Sequence, residues 1–309
     1  MGNTQVKVRR PAIFREFASA SATNVPNSAT ESFTAEVREE WIDGRRVISS
    51  TPYTFPVDPD FMDLNDMNHY SFRKMLNGKN YNAPLKNPKR ILDVGAGNGT
   101  WIKEMALEFP KAKLFAIDLV EDMYNKAKAA TNISWEVGNI LEPTRFDTGY
   151  FDYVHMRMII GAIPTPKMPS VCNELYRITK KGGWVTVMDP TNVIHSAGPH
   201  MKEWANLLCE LCKRSGVNPY VALDYEQYLK NAGFSEVKVI KFNRGAGSWA
   251  GDLGAILVDT MMRLTLMMTV MLPDLLTPEA AIRLNQEAFG EECNMHHTEC
   301  EWIMINARK

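Results

Sequence analysis

The sequence predicts an α/β protein built on a parallel, doubly wound sheet, and three observations carry that expectation. Residues Ile91–Thr100, ILDVGAGNGT, form an apolar run that ends in an acid and alternating glycines, with a helical pattern from Trp101 onward. Short apolar runs then alternate with helical patterns through Met188, as parallel strands with crossover helices require. The composition, 45% hydrophobic and 23% charged over 309 residues, is that of an ordinary globular chain with a sizeable core.

Taken in order, residues 1–35 are rich in Ser, Thr, Ala and Asn, lack periodicity and read as a disordered tail. EVREEWIDGRRVISS reads as two short strands about Asp43-Gly44. Pro52, Pro56 and Pro59 then impose an extended path. Asp63–Leu76 carries Leu64, Met67, Phe72, Met75 and Leu76, a helical stripe, and 77–89 is a polar link. Strands are expected at 90–94, 114–117, 133–137, 151–155 and 184–188. Helices are expected at 101–109, 121–130 and 168–179, with a turn at Lys180–Gly183. Beyond these lie helices at 199–213 and 225–232, a strand at 237–242, and helices at 252–271 and 278–289. A last strand follows at 300–307. The organisation is then a tail, a lid segment over 36–88, a ligand-binding core over 89–190, and a C-terminal part over 191–309. The last part carries a helical insert at about 245–297 between the two final strands.

The charge balance, 35 basic against 36 acidic residues, points away from nucleic acid and from an anionic membrane surface. The most apolar stretch, 255–272, is interrupted by Asp259 and Arg263 and reads as a buried helix rather than a membrane span. The N-terminus has no apolar secretory core. Five cysteines in a chain of this length suit reduced thiols and a cytoplasmic setting.

The glycine loop narrows the ligand. A dinucleotide loop reads G-x-G-x-x-G, whereas Gly95, Gly97 and Gly99 form G-x-G-x-G, with Thr100 where the dinucleotide pattern has its third glycine. Asp118 ends the second strand, where a carboxylate can accept hydrogen bonds from both ribose hydroxyls. That marks a nucleoside without saying which. Asn139, after the third strand, offers a carbonyl acceptor and an amide donor to a base.

On ILDVGAGNGTW, FDYVHMRMIIGAI and GGWVTVMD, the chain resembles the class I S-adenosylmethionine-dependent methyltransferases. On Tyr53, Pro56, NDMNHY, Ala83-Pro84 and Gly247-Ser248-Trp249 it is similar to the LaeA-like fungal methyltransferases. The resemblance implies a Rossmann-like seven-stranded sheet, its last two strands antiparallel at one edge, under an N-terminal lid. It implies S-adenosyl-L-methionine held by Asp93, Gly95, Ala96, Gly97, Gly99, Asp118, Leu119, Met123, Asn139, Ile140 and His155. Asn139 departs from the acid usual at its position. The implied substrate is a small molecule of fungal secondary metabolism. Some relatives instead regulate that metabolism in the nucleus through protein partners, the alternative function.

Methyl transfer from a sulfonium needs position and exclusion of water first, and a base only where a proton must leave. His155 and Arg157 follow the fourth strand, Asp189 and His195 follow the fifth, and His69 and Tyr70 lie in the lid helix. Of these, His155, Arg157 and Tyr70 are the catalytic candidates. A zinc set from Cys209, Cys212, Cys293, His296, His297 and Cys300 is the weaker idea, since Cys209 and Cys212 lie on an apolar helical stripe; no metal is expected. Met261, Met262, Met267, Met268 and Met271 with Trp249 either roof a pocket for an apolar or aromatic substrate, face a second copy of the chain in a homodimer, or fill core.

Overall fold

The computed structural model describes residues 38–51, 53, 55–120 and 132–309; the tail, the helix expected at 121–130 and Met123 lie outside the described residues. A hairpin opens the described chain, β1 (Glu39–Ile42) and β2 (Arg45–Ile48). Its two-residue turn has both central residues at positive φ, Asp43 at 47° and Gly44 at 76°, the hand that matches strand twist.

Helix α1 (Pro59–Met75) begins earlier than the stripe suggested. Pro59 does not extend the chain but occupies the first helical turn, where its missing N–H costs nothing, and the Asp58 side chain caps Phe61 N–H at 3.2 Å. Its inward face is Phe61, Leu64, Asn68, His69, Ser71 and Phe72, all buried.

The sheet comprises β3 (Arg90–Val94), β4 (Lys113–Asp118), β5 (Ile133–Val137), β6 (Phe151–Arg157), β7 (Thr179–His195), β8 (Glu236–Gly245) and β9 (Glu299–Arg308). Their order is β5-β4-β3-β6-β7-β9-β8. Pairs from β5 through β7 are parallel, and β9 runs antiparallel to both β7 and β8. The order reverses between β3 and β6, so a crevice opens at their carboxyl ends. Strand β7 is longer than the expected 184–188. It starts at Thr179 opposite Phe151, bulges through the Lys180–Gly183 stretch, and rejoins β6 at Trp184 opposite Tyr153. It then continues past an irregularity at Pro190–Ile194 alongside β9.

Helix α2 (Thr100–Glu108) packs Trp101, Ile102 and Met105 on one face of the sheet against Ile91, Leu114 and Tyr153. Helices α3 (Met168–Ile178) and α5 (Tyr225–Ala232) pack on the other, over Val154, Val185 and Ile305. Helix α4 (Pro199–Arg214) joins α6 (Gly251–Met271) and α7 (Pro278–Leu284) in a separate apolar cluster containing Trp204, Met261 and Phe289. The helix expected to end at Phe289 leaves α geometry at Asn285, widens into a π-helical segment to Glu292, and closes at Cys293–His296. Helix α6 is long and apolar enough to cross a membrane by length and composition. In the fold its Leu257, Met261 and Met268 are buried against α4 and the segments after it.

Candidate active site

The glycine loop is braced from β4. Gly95 and Ala96 N–H donate to Ile117 C=O at 2.9 and 3.1 Å, and Gly97 N–H donates to Asp118 Oδ2 at 2.8 Å. Gly99 caps α2 in the left-handed region at φ 77°, and a Cβ there would lie 2.0 Å from the Trp135 indole. Gly97, at φ 55°, has no atom within 4 Å of where its Cβ would stand. One glycine therefore packs the helix onto the sheet, and the other leaves room for close approach above the strand ends.

Asp118 sits at the edge of that space, and burial pushes its carboxyl above the usual range. Leu119 and Val120 follow it along the wall, with Tyr53 from the lid segment half-buried nearby. Gly138, Asn139 and Ile140 close the far side. Asn139 Oδ1 accepts from Leu141 N–H at 3.0 Å, which fixes the side chain's orientation.

His155 lies between two partners. Its Nδ1 is 2.9 Å from Asp93 Oδ1, and its ring stacks on Trp101 at 3.8 Å between centroids and 8° between planes. Burial lowers its pKa, so the neutral ring donates Nδ1–H to the carboxylate. This pins β6 to β3 beneath the loop. Arg157 is half-buried, lines the cavity and donates from Nη2 to His69 Nδ1 at 3.1 Å. An arginine only donates, so His69 accepts at Nδ1 and carries its proton on Nε2, which lies 3.2 Å from Glu104 Oε2. Burial and Arg157 lower the His69 pKa to about 4, which keeps it neutral.

Tyr70 is misplaced as a catalytic candidate. It is 54% exposed and points away from the cavity, while its neighbour His69 is 2% exposed and faces it. The buried stripe 61, 64, 68, 72 runs at helical spacing and puts 69, not 70, beside it. Asp189 is fully buried beneath the cavity rather than lining it. Its Oδ1 accepts from Ile159 and Ile160 N–H at 2.9 and 3.3 Å, its Oδ2 accepts from Tyr225 O–H at 2.9 Å, and burial pushes it up to about 7. It anchors the loop after β6. His195 is exposed, and Trp249 stacks on His297 at the surface rather than roofing a pocket.

The glycine loop, Asp118, Asn139, His155, Arg157 and His69 share one cavity of about 270 Å³. It runs from the glycine loop and Asp118 past His155 and Arg157 into a chamber walled by Phe55, Phe61 and Leu64 of the lid, Trp204 and Leu208 of α4, and Leu257, Met261 and Leu264 of α6. Of the methionine stripe, Met261 reaches the chamber, and Met267 and Met268 are core. Among the described residues, no group of three or more His, Cys, Asp or Glu side chains is arranged to hold a metal ion. Cys212 is buried in the core instead.

The methyltransferase domain family matches residues 67–239, more than half of the chain and all of the site's core strands. The chain belongs to that family. This methyltransferase is 27% identical over 242 residues to methyltransferase pytC of Aspergillus terreus, covering 75% of this chain and 74% of that one. It is also 27% identical over 228 residues to the secondary metabolism regulator laeA of Gibberella zeae, covering 69% and 71%. Among solved structures, a SAM-dependent methyltransferase from Archaeoglobus fulgidus superimposes with a TM-score of 0.50 at 15% identity, over 82% of this chain and 100% of that one. The seven-stranded α/β sheet is thus the methyltransferase sheet.

Proposed function

We propose that this methyltransferase transfers the methyl group of S-adenosyl-L-methionine to a small, apolar acceptor in fungal secondary metabolism. The observation that carries the reading is the single cavity joining a nucleoside cradle to an apolar chamber. The residues present fit the cofactor. Gly97 leaves open a space that any side chain would fill, Asp118 offers acceptor oxygens to ribose hydroxyls, and Asn139 with Ile140 borders the place for the base. Bound there, the sulfonium supplies a methyl group already activated for in-line displacement.

The chain's own residues then supply position and dryness. The Asp93–His155 pair holds the floor of the loop rigid. The lid aromatics and α6 exclude water from the chamber, so the two reactants meet without solvent reorganisation. The apolar walls favour a small-molecule acceptor over the alternative of a regulator working through protein partners, as the laeA likeness would suggest. The buried cysteines agree with a reducing, cytoplasmic setting.

Titration of S-adenosylhomocysteine into the purified protein tests the reading. Wild type binds, while Gly97→Arg, which fills the cradle, and Asp118→Ala, which removes the ribose acceptor, lose about tenfold or more in affinity. Unchanged affinity in both variants refutes the site.

A further inference from the structure

One corner of the cavity, where α1 lies over the sheet, gathers two cations, Arg157, which is half-buried, and Arg244, which is buried. Arg157 lines the cavity and its recorded hydrogen bond goes to an uncharged imidazole. Asp93, Glu104 and Asp189 attract it through space. Glu104 also meets Arg73 at 2.9 Å, and Asp189 accepts from Tyr225 and two backbone N–H groups; Asp93 accepts from the uncharged His155 ring, so its charge is left to balance Arg157, and the unbalanced cation of the corner is Arg244.

Arg244, from the end of β8, lies behind the same corner and is 4% exposed. Its Nη1 and Nη2 donate to Asn68 Oδ1 at 3.3 Å and Ser71 Oγ at 2.7 Å, both uncharged, and its Nε is buried with no acceptor. Among the described residues no carboxylate pairs with it. Its guanidinium rests against the rings of Phe72 and Trp302, 5.0 and 5.3 Å from their centroids. Arg157 approaches Phe72 too, at 5.3 Å. Trp302 lines the cavity, and its Nε1–H is likewise buried without an acceptor.

Buried donors rarely go unpaired, and a buried cation is costly without an anion beside it. The aromatic faces return only part of that cost. Two arginines and an indole N–H gathered around one phenyl ring mark a place for oxygen atoms that a ligand brings. The walls of the chamber are otherwise mostly apolar, so the ligand that matches it has an oily body and an anionic end.

We propose that this corner is an oxyanion subsite, and that the acceptor is an apolar organic acid whose carboxylate meets Arg157 and Trp302 Nε1–H in the field of Arg244. The proposal rests on the methyltransferase reading above. It suits a site whose imidazoles are both engaged, because a carboxylate enters already ionised and asks for no base. The cofactor's own amino-acid carboxylate is the other source of the same chemistry, and the test separates the two.

Protein saturated with S-adenosylhomocysteine is titrated calorimetrically with decanoate and 4-phenylbutanoate, and with their primary amides, at a pH where the acids are ionised. The acids bind about tenfold or more tighter than the amides. Arg157→Met and Arg244→Met each cut that preference by weakening the acids more than the amides, and Arg244→Lys recovers part of it, which separates lost charge from lost folding. Equal binding of acids and amides, or no binding of any probe, overturns the subsite while leaving the methyltransferase reading in place. If Arg157→Met or Arg244→Met weakens S-adenosylhomocysteine but not 5′-methylthioadenosine, the carboxylate served is the cofactor's and the proposal falls. Failure of wild type to bind S-adenosylhomocysteine overturns the reading of function and the subsite with it.

Discussion

Asp189→Asn isolates the cost of burying a carboxyl under the cavity. In the unfolded chain the group titrates near its ordinary value of 3.8, and in the fold it is pushed up to about 7 by burial, against the opposing effect of its three hydrogen bonds. Between those values the native state keeps a proton that the unfolded chain has released. Stability therefore falls as pH rises, by about 1.36 kcal/mol per pH unit, and is fully present only below the unfolded pKa. Over the interval of about three units the loss approaches about 4 kcal/mol. His69 works in the opposite sense. Its folded pKa of about 4 lies below the ordinary 6.5, so the stability it contributes grows as pH rises through that range. The two slopes partly cancel in wild type, which is why the comparison must be with the variant. Asparagine keeps the shape and the acceptor for Ile159 and Ile160 N–H but does not titrate. Urea denaturation of both proteins from about pH 4 to about pH 7 should show wild type losing stability relative to Asp189→Asn as pH rises, by about 2–4 kcal/mol in all. A stability difference that stays constant across that range refutes the reasoning.

Two more outcomes follow from the geometry. Gly99→Ala places a Cβ in a left-handed residue and against the Trp135 indole, so it should destabilise the protein by about 2–5 kcal/mol in denaturant titrations, the sum of backbone strain and overpacking; a change below about 1 kcal/mol would show that the indole simply moves aside. Tyr70→Phe removes a hydroxyl from an exposed ring, and S-adenosylhomocysteine affinity and urea midpoint should match wild type within error, with any loss of methyl transfer beyond about twofold counting against the placement.

The half of the molecule that holds the cofactor was readable because its signals are local. The strand at Ile133–Val137 and the helix at Tyr225–Ala232 fall on the expected residues, and Gly95, Gly97, Gly99 and Asp118 converge as their spacing implied. The half that walls the apolar chamber was not, because its residues meet through pairing far apart in sequence. Arg244 reaches Asn68 and Ser71 across more than 170 positions, and nothing local in FNRGAGSW distinguishes it from a solvated arginine on an edge strand. The sequence offers Tyr70 rather than His69 as the candidate on the lid helix, and the phase of the helix decides that His69 is the one that faces inward. Trp249 and the methionines looked alike as bulky apolar groups, yet only Met261 among them has the rotational position on α6 to reach the chamber.

The place of β9 has a consequence for how the chain is made. Strands β3 to β7 and their helices leave the ribosome in sequence and can pair as they appear, each beside a partner already synthesised. Strand β8 emerges next but has no place beside β7, because the intervening slot belongs to β9, which is separated from β8 by the whole helical insert. Until β9 arrives, β7 and β8 both carry open edges, and the insert has no closed sheet to anchor its two ends. The cradle for the nucleoside can thus take shape early in synthesis, while the acceptor chamber is completed last, by the strand that carries Trp302 into its floor. Vectorial synthesis thereby orders the two halves of the active site in time.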